Sequence, residues 1–407
     1  MPNLERLSER TQKIIKDESE NIIHTYGRLP IVITKGEGMK VYDVDGNEYL
    51  DFLAGIAVNN MGHCHPEIVE ALKSQIDNLM HISNIYYNIP QVELGKKLVG
   101  LSGLGKAFFC NSGAEANEAA IKLARRYGKH ISSKKGFIKS GEVISMEHSF
   151  HGRTLTTITA TPKPKYQEGF EPLPTGFRYA PFNDIEALKE MVSEHTSAII
   201  IEPVQGEGGV YPVDKEYLKE VRKICDELDI ILIFDEVQCG MGRTGKMFAY
   251  EHYGIIPDIV TLAKALGNGF PIGAIVAKNE VAEAFQPGSH GTTFGGNPIA
   301  CATSLKTLEL LQNQLEYASE IGEYFKGRLN ELKDKYEFIT EVRGLGLMLG
   351  IQLTFNGSDL VLKMLEKGYL INCTSDTVLR FVPPLIVEKE HIDSLINALD
   401  EIFSKIE

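Results

Sequence analysis

Between residues 106 and 277, short apolar runs rich in β-branched residues alternate with segments of helical periodicity, and this alternation restricts the fold more than any other feature. The runs Lys106–Cys110, 142–146, 197–204, 230–237, 258–263 and 274–277 predict strands. The segments from about Ala114 to Tyr127 and from Tyr217 to Leu228 predict helices between them. Strands alternating with helices build an α/β domain around a parallel sheet covered on both faces. Ligands of such sheets sit outside the carboxyl ends of the strands. The segments following Cys110, Met146, Val204, Phe234 and Ala263 are therefore where chemistry is to be sought.

The ends of the chain read differently. Met39 to Phe52 alternates polar and apolar residues around Asp45-Gly46, a hairpin signal. After about Pro298 come long helical patterns, a strand-like Leu347–Leu353 and a last helix near 390–406. At 407 residues the chain exceeds what one core usually covers. A smaller α+β domain built from both termini is expected, with residues 1–60 and 299–407 flanking a large domain over 61–298. The many charges between Leu310 and Tyr336 predict a solvated helix face.

Several function classes are excluded by composition. The net charge is −13 and no basic stripe offsets it, so nucleic acid and anionic membrane are poor partners. An anionic ligand would need a local positive site. No apolar run is long enough to span a bilayer. Met1–Ser19 carries Glu5, Glu9, Asp17 and Glu18 and no apolar stretch, which fits neither a signal nor a transit peptide. The six cysteines are scattered without a C-x-x-C pair, as expected of free thiols in a reducing cytoplasm.

Three strand ends carry candidate chemistry. Asn111-Ser112-Gly113-Ala114-Glu115 joins a strand to a helix through small residues, and a helix N-terminus attracts anions. Taken alone, Ser112 with Glu115 reads better as a capping box than as an anion site. Asp235 ends a buried strand, where a carboxylate needs a cationic partner or caps the next turn. Lys264 follows another buried strand and precedes the glycine-rich stretch Gly267–Gly273. A desolvated lysine has a lowered pKa and can form a Schiff base, although most lysines lie at the surface. Together the three supply what pyridoxal phosphate needs: an amine for its aldehyde, an acid for its ring nitrogen and a phosphate cradle.

The chain resembles the class III (ω-amino acid type) aminotransferases of the fold-type I pyridoxal-phosphate superfamily over nearly its whole length. The resemblance is carried by Gly55-Ile56-Ala57-Val58-Asn59, Gly62-His63-Cys64-His65-Pro66, Tyr86-Tyr87, Phe150-His151-Gly152-Arg153-Thr154, Glu202 to Gly209, Gly291 to Pro298 and Arg380-Phe381-Val382-Pro383-Pro384. It implies that Ser112, Gly113 and Ala114 bind the cofactor phosphate, Phe150 stacks on the ring, Asp235 pairs with the ring nitrogen and Gln238 reaches the ring hydroxyl. It implies that Lys264 is the Schiff-base lysine and that Thr293 serves the neighbouring subunit's cofactor, so the active unit is a homodimer. Arg153 and Thr292 are implied to hold substrate, and Arg380 to bind the α-carboxylate of glutamate. Glu207 is implied to pair with Arg380 when glutamate is absent.

The implied reaction is a ping-pong transfer of the terminal amino group of N-acetylornithine to 2-oxoglutarate, within arginine biosynthesis. Ornithine, succinylornithine, succinyldiaminopimelate and 4-aminobutyrate are alternative donors. A mutase, decarboxylase or racemase of the same fold, or a non-catalytic binding protein, are rival readings. Arg153 with Arg380 favours two carboxylate-bearing substrates, and intact Lys264, Asp235 and Arg380 favour catalysis. His63-Cys64-His65 lacks zinc-like spacing, so no metal is expected. Cys239 reads as a bystander, and Tyr86 and Tyr87 line a pocket or merely pack.

Overall fold

The computed structural model describes residues 7–135 and 139–406; the first six residues of the N-terminal segment lie outside them. The chain opens with strands β1 (Ile33–Glu37), β2 (Lys40–Asp43) and β3 (Glu48–Asp51). β2 and β3 pair antiparallel across the turn at Asp45-Gly46, the hairpin its sequence predicts. Next come β4 (Lys106–Cys110), β5 (Glu142–Met146), β6 (Phe177–Ala180), β7 (Thr196–Ile201) and the short β8 (Val204–Gln205) and β9 (Tyr211–Pro212). β10 (Ile231–Asp235), β11 (Ile259–Leu262) and β12 (Gly273–Ala277) complete the central region. The C-terminal strands are β13 (Ile339–Leu345), β14 (Met348–Leu353), β15 (Tyr369–Leu370), β16 (Asn372–Thr374) and β17 (Val378–Phe381).

Seven strands form the main sheet in the order β4-β12-β11-β10-β7-β5-β6. The pairs from β6 through β11 are parallel. β12 runs antiparallel to both its neighbours, a departure from the all-parallel expectation. The reason lies in the connection. A parallel neighbour needs a long crossover, whereas the chain returns from Lys264 to Gly273 through a short glycine-rich loop. β7 and β10 are buried at every position, which explains their unbroken apolar sequences. One face packs against the helix Gly113–Lys135, where Ala116, Ala119, Ala120 and Ala124 allow close approach to Ile200, Ile233 and Ile275. The other face packs into a larger core containing Phe234, Leu262, Leu94 and Leu98.

Two four-stranded sheets draw on the chain ends. β1-β2-β3 is completed by β15, which pairs parallel to β3 although the two lie far apart in sequence. β13-β14-β17-β16 forms the second. One 38-residue helix, Pro298–Lys335, starts at an Asn297 cap. Its charged residues face outward as expected, while Ile321, Phe325 and Leu329 are buried. Arg243 ties the regions together: fully buried, it donates to the carbonyls of Leu347 and Pro383 and to Asn60.

Candidate active site

The carboxyl ends of β4, β5, β7, β10 and β11 lie along one edge, and a cavity of about 390 Å³ opens there. Its lining includes Ser112, Gly113, Ala114, Phe150, Arg153, Asp235, Gln238 and Lys264. Eight of the expected site residues, drawn from four strand ends, therefore meet in one place.

At the end of β4, the Ser112 hydroxyl accepts from Glu115 N at 3.2 Å, and the Glu115 carboxylate accepts from Asn111 N at 2.6 Å. Ser112 and Glu115 thus cap the helix start, and the same helix start also faces the cavity. A side chain at Gly113 would meet Val237 at 2.7 Å, and one at Gly273 would meet the Ser112 carbonyl at 2.4 Å. The chain can pack this closely around the helix start because these positions have no Cβ.

Asp235, at the end of β10, is buried with its carboxylate fully engaged. Oδ2 accepts from Asn117 Nδ2 at 2.7 Å and lies 2.7 Å from His151 Nδ1. Oδ1 accepts from Val237 N at 3.1 Å and from the Thr261 hydroxyl at 3.4 Å. This network fixes the carboxylate's orientation toward the cavity. Glu202, also fully buried, accepts from Phe150 N at 3.0 Å and Gly206 N at 3.2 Å. Burial, with Asp235 adding to it and His151 opposing, pushes the Glu202 carboxyl up to about 7.

Lys264 follows β11 with a left-handed backbone, φ 46°, in a residue that rarely adopts it. Burial lowers its ammonium from 10.5 to about 8; nearby Arg380 adds to this, while the carboxylates of Glu207, Asp235 and Glu202 resist it. A substantial neutral fraction near physiological pH distinguishes it from a surface lysine.

Glu207 and Arg380 stand beside the cavity without lining it. Arg380 is completely buried on β17, and its Nη1 lies 2.6 Å from Glu207 Oε1 and donates to Gln238 Oε1 at 3.0 Å. Gln238 Nε2 donates to the same Glu207 oxygen at 3.4 Å. Burial works against the Glu207 charge, but Arg380 outweighs it and holds the carboxyl down at about 2. Arg380 Nη2 is buried without a hydrogen-bond partner among the described residues.

The family is settled by comparison with known proteins. The family model described as aminotransferase class-III matches residues 22–403. The chain is a class III aminotransferase. A curated acetylornithine aminotransferase of Methanocaldococcus jannaschii is 65% identical over 96% of this chain and 97% of the relative. One from Caldanaerobacter subterraneus is 53% identical over 97% of this chain and 100% of the relative. Among solved structures, the ornithine aminotransferase from Toxoplasma gondii superposes with a TM-score of 0.93 at 33% identity, covering 98% of this chain and 96% of that one.

Pyridoxal phosphate is the cofactor of this family, and the aminotransferase has residues that fit it. A half-buried lysine, a locked strand-end carboxylate and a side-chain-free helix start face one cavity. Thr292 and Thr293 lie off that cavity. The Thr292 hydroxyl accepts from Asn111 Nδ2 at 3.1 Å, while Thr293 is exposed. Tyr86 and Tyr87 are also exposed and do not line the cavity within this chain. His63 lies 2.7 Å from Asp51. Cys239 is buried, and burial pushes its thiol well above its ordinary value. Sequence reasoning gave no role to Asn117, which lies one helical turn inside a helix with no signal of its own. His151 and Glu202 were quoted within motifs, without the contacts that give them meaning.

Proposed function

We propose that the aminotransferase moves the terminal amino group of N-acetylornithine to 2-oxoglutarate, giving N-acetylglutamate semialdehyde and glutamate, in arginine biosynthesis. The observation that carries this reading is the Glu207–Arg380 pair. Glutamate reacts at its α-amine, so one carboxylate lies beside the reacting carbon and can take Arg380 while the other takes Arg153. N-acetylornithine reacts far from its only carboxylate, leaving nothing acidic for Arg380. A buried guanidinium left unpaired is costly, and Glu207 is a removable counter-ion for it. The names of the curated relatives support the same donor.

When bound, pyridoxal phosphate supplies the electron sink for the carbon that carries the amine. Ser112, Gly113 and Ala114 would hold its phosphate, Phe150 its ring face, Asp235 its ring nitrogen and Gln238 its hydroxyl. Lys264 Nζ would anchor it covalently, then take a proton from the reacting carbon and return it. Arg153 and Thr292 would orient the substrate. Thr293, exposed here, would complete the site of a second subunit, so the working unit is a homodimer with Tyr86 and Tyr87 near the interface. Residues 1–60 with 299–407 would form the small domain around the large one, 61–298, as the pairing of β3 with β15 suggests. Six free cysteines support a cytoplasmic setting.

A coupled assay of glutamate formation across N-acetylornithine, succinylornithine, ornithine, succinyldiaminopimelate and 4-aminobutyrate tests the donor. N-acetylornithine should give the highest kcat/KM, and a clear preference for another amine overturns the assignment. Single-turnover kinetics test the gate. Glu207→Gln should speed glutamate's half-reaction relative to that of N-acetylornithine by about tenfold, the equivalent of 1.4 kcal/mol. Equal slowing of both would mean that Glu207 is structural.

A further inference from the structure

The Glu207 carbonyl is an unusual node. It accepts from Lys163 Nζ at 3.2 Å, the Thr374 hydroxyl at 2.9 Å and the Ser375 hydroxyl at 3.1 Å. A carbonyl oxygen has two lone pairs, so three donors saturate it. The donors come from two distant segments. Lys163 follows the Phe150–Arg153 stretch, and its ammonium, like the Arg153 guanidinium, lies over the Tyr166 ring. Thr374 and Ser375 belong to the β16–β17 hairpin that carries Arg380.

Glu207 needs such an anchor. It is flanked by Gly206, Gly208 and Gly209, the last at φ 117°, so its main chain is intrinsically loose. The loop also threads a narrow space. A side chain at Gly206 would meet Gln238 at 2.3 Å, and one at Gly208 would meet Gln205 and the His148 carbonyl at 2.8 Å. Lys163 is half-buried, and burial lowers its ammonium despite the nearby carboxylates of Glu207 and Glu202. An ammonium partly withdrawn from water needs an acceptor, and the Glu207 carbonyl is one.

We propose that Lys163, Thr374 and Ser375 form a main-chain latch that fixes the backbone of Glu207, so that its carboxylate reaches or leaves Arg380 by side-chain rotation alone. They are positioning residues for the choice between a substrate that brings a second carboxylate and one that does not. The proposal rests on the gate reading above. It adds that the fidelity of the gate is set from behind, by residues that touch neither substrate nor cofactor.

The test is a double-mutant cycle on the holoenzyme, read as the ratio of the glutamate half-reaction to that of a monocarboxylate amine donor. Thr374→Val with Ser375→Ala should shift that ratio toward glutamate by about fivefold, the worth of roughly one neutral hydrogen bond. Thr374→Ser alone keeps both hydroxyls and should leave the wild-type ratio. In a Glu207→Gln background the Val/Ala pair should shift it no further. Lys163→Met probes the latch from the other segment, should the hydroxyl variant fold poorly, and should shift the ratio in the same direction. Equal slowing of both half-reactions, or an undiminished shift in the Glu207→Gln background, overturns the latch. If Glu207→Gln itself leaves the ratio unchanged, the gate fails instead, and the two failures are distinguishable. Which donor the wild-type enzyme prefers does not enter the ratio.

Discussion

Lys264 shows what burial does to one side chain. Its ammonium sits at about 8 in the folded protein and near 10.5 when exposed. Between those values the unfolded chain holds a proton that the folded chain has released. Stability of the cofactor-free protein should therefore rise with pH across that window, by up to about 3 kcal/mol from this group. Below about 8 the group is protonated in both states and contributes no slope. The pH dependence of urea midpoints, compared between wild type and Lys264→Met, checks this; identical slopes refute it. In Lys264→Ala, borohydride should no longer fix pyridoxal phosphate to the protein, and turnover should collapse. At this scale the sequence was legible wherever a residue's position follows from a strand end: Lys264, Asp235 and Gly113 all reach the cavity. It was silent on Asn117, because its bond to Asp235 spans residues that only the folded sheet brings together.

Among the elements, the join between β4 and the helix Gly113–Lys135 carries two roles at once. Ser112 and Glu115 satisfy the helix start, yet the cavity lies against the same turn. The capping reading holds, and it leaves room for the proposed phosphate site, since capping uses only some of the orphan donors. Gly113→Ala separates them. Its Cβ would press on Val237 at 2.7 Å, an overpacking of about 1–3 kcal/mol. Cofactor affinity should fall by about tenfold or more, and the melting temperature of the cofactor-free protein should fall by a few degrees with the overpacking. An absorbance titration alongside thermal unfolding reads both, and unchanged affinity would contradict the cradle assignment. The order of elements was legible because the apolar runs are long and evenly spaced. The reversed direction of β12 was not, because Ala274–Ala277 is equally apolar whichever way it runs. Only the shortness of the loop before it carried that information.

For the whole molecule, the proposed sharing of Thr293 makes a sharp forecast. Lys264→Ala and Thr293→Val subunits should each be weak alone. A mixed dimer would combine one doubly damaged site with one intact site, so co-refolded mixtures should exceed the activity of either parent. No gain on mixing would place Thr293 with its own subunit's site and remove the reason for an obligatory dimer. The turn at Asp45-Gly46 and the late strands were legible, but the pairing of β3 with β15 was not, because only the folded register joins them. That register reaches beyond catalysis. Because Leu50 and Asp51 hydrogen-bond with a strand at Tyr369–Leu370, and buried Arg243 joins Asn60 to Leu347 and Pro383, a nascent chain leaving the ribosome cannot finish its first sheet until Leu370 has emerged. The early hairpin must wait with an open edge while about 300 further residues are made, and a chain terminated before Tyr369 would expose that edge permanently.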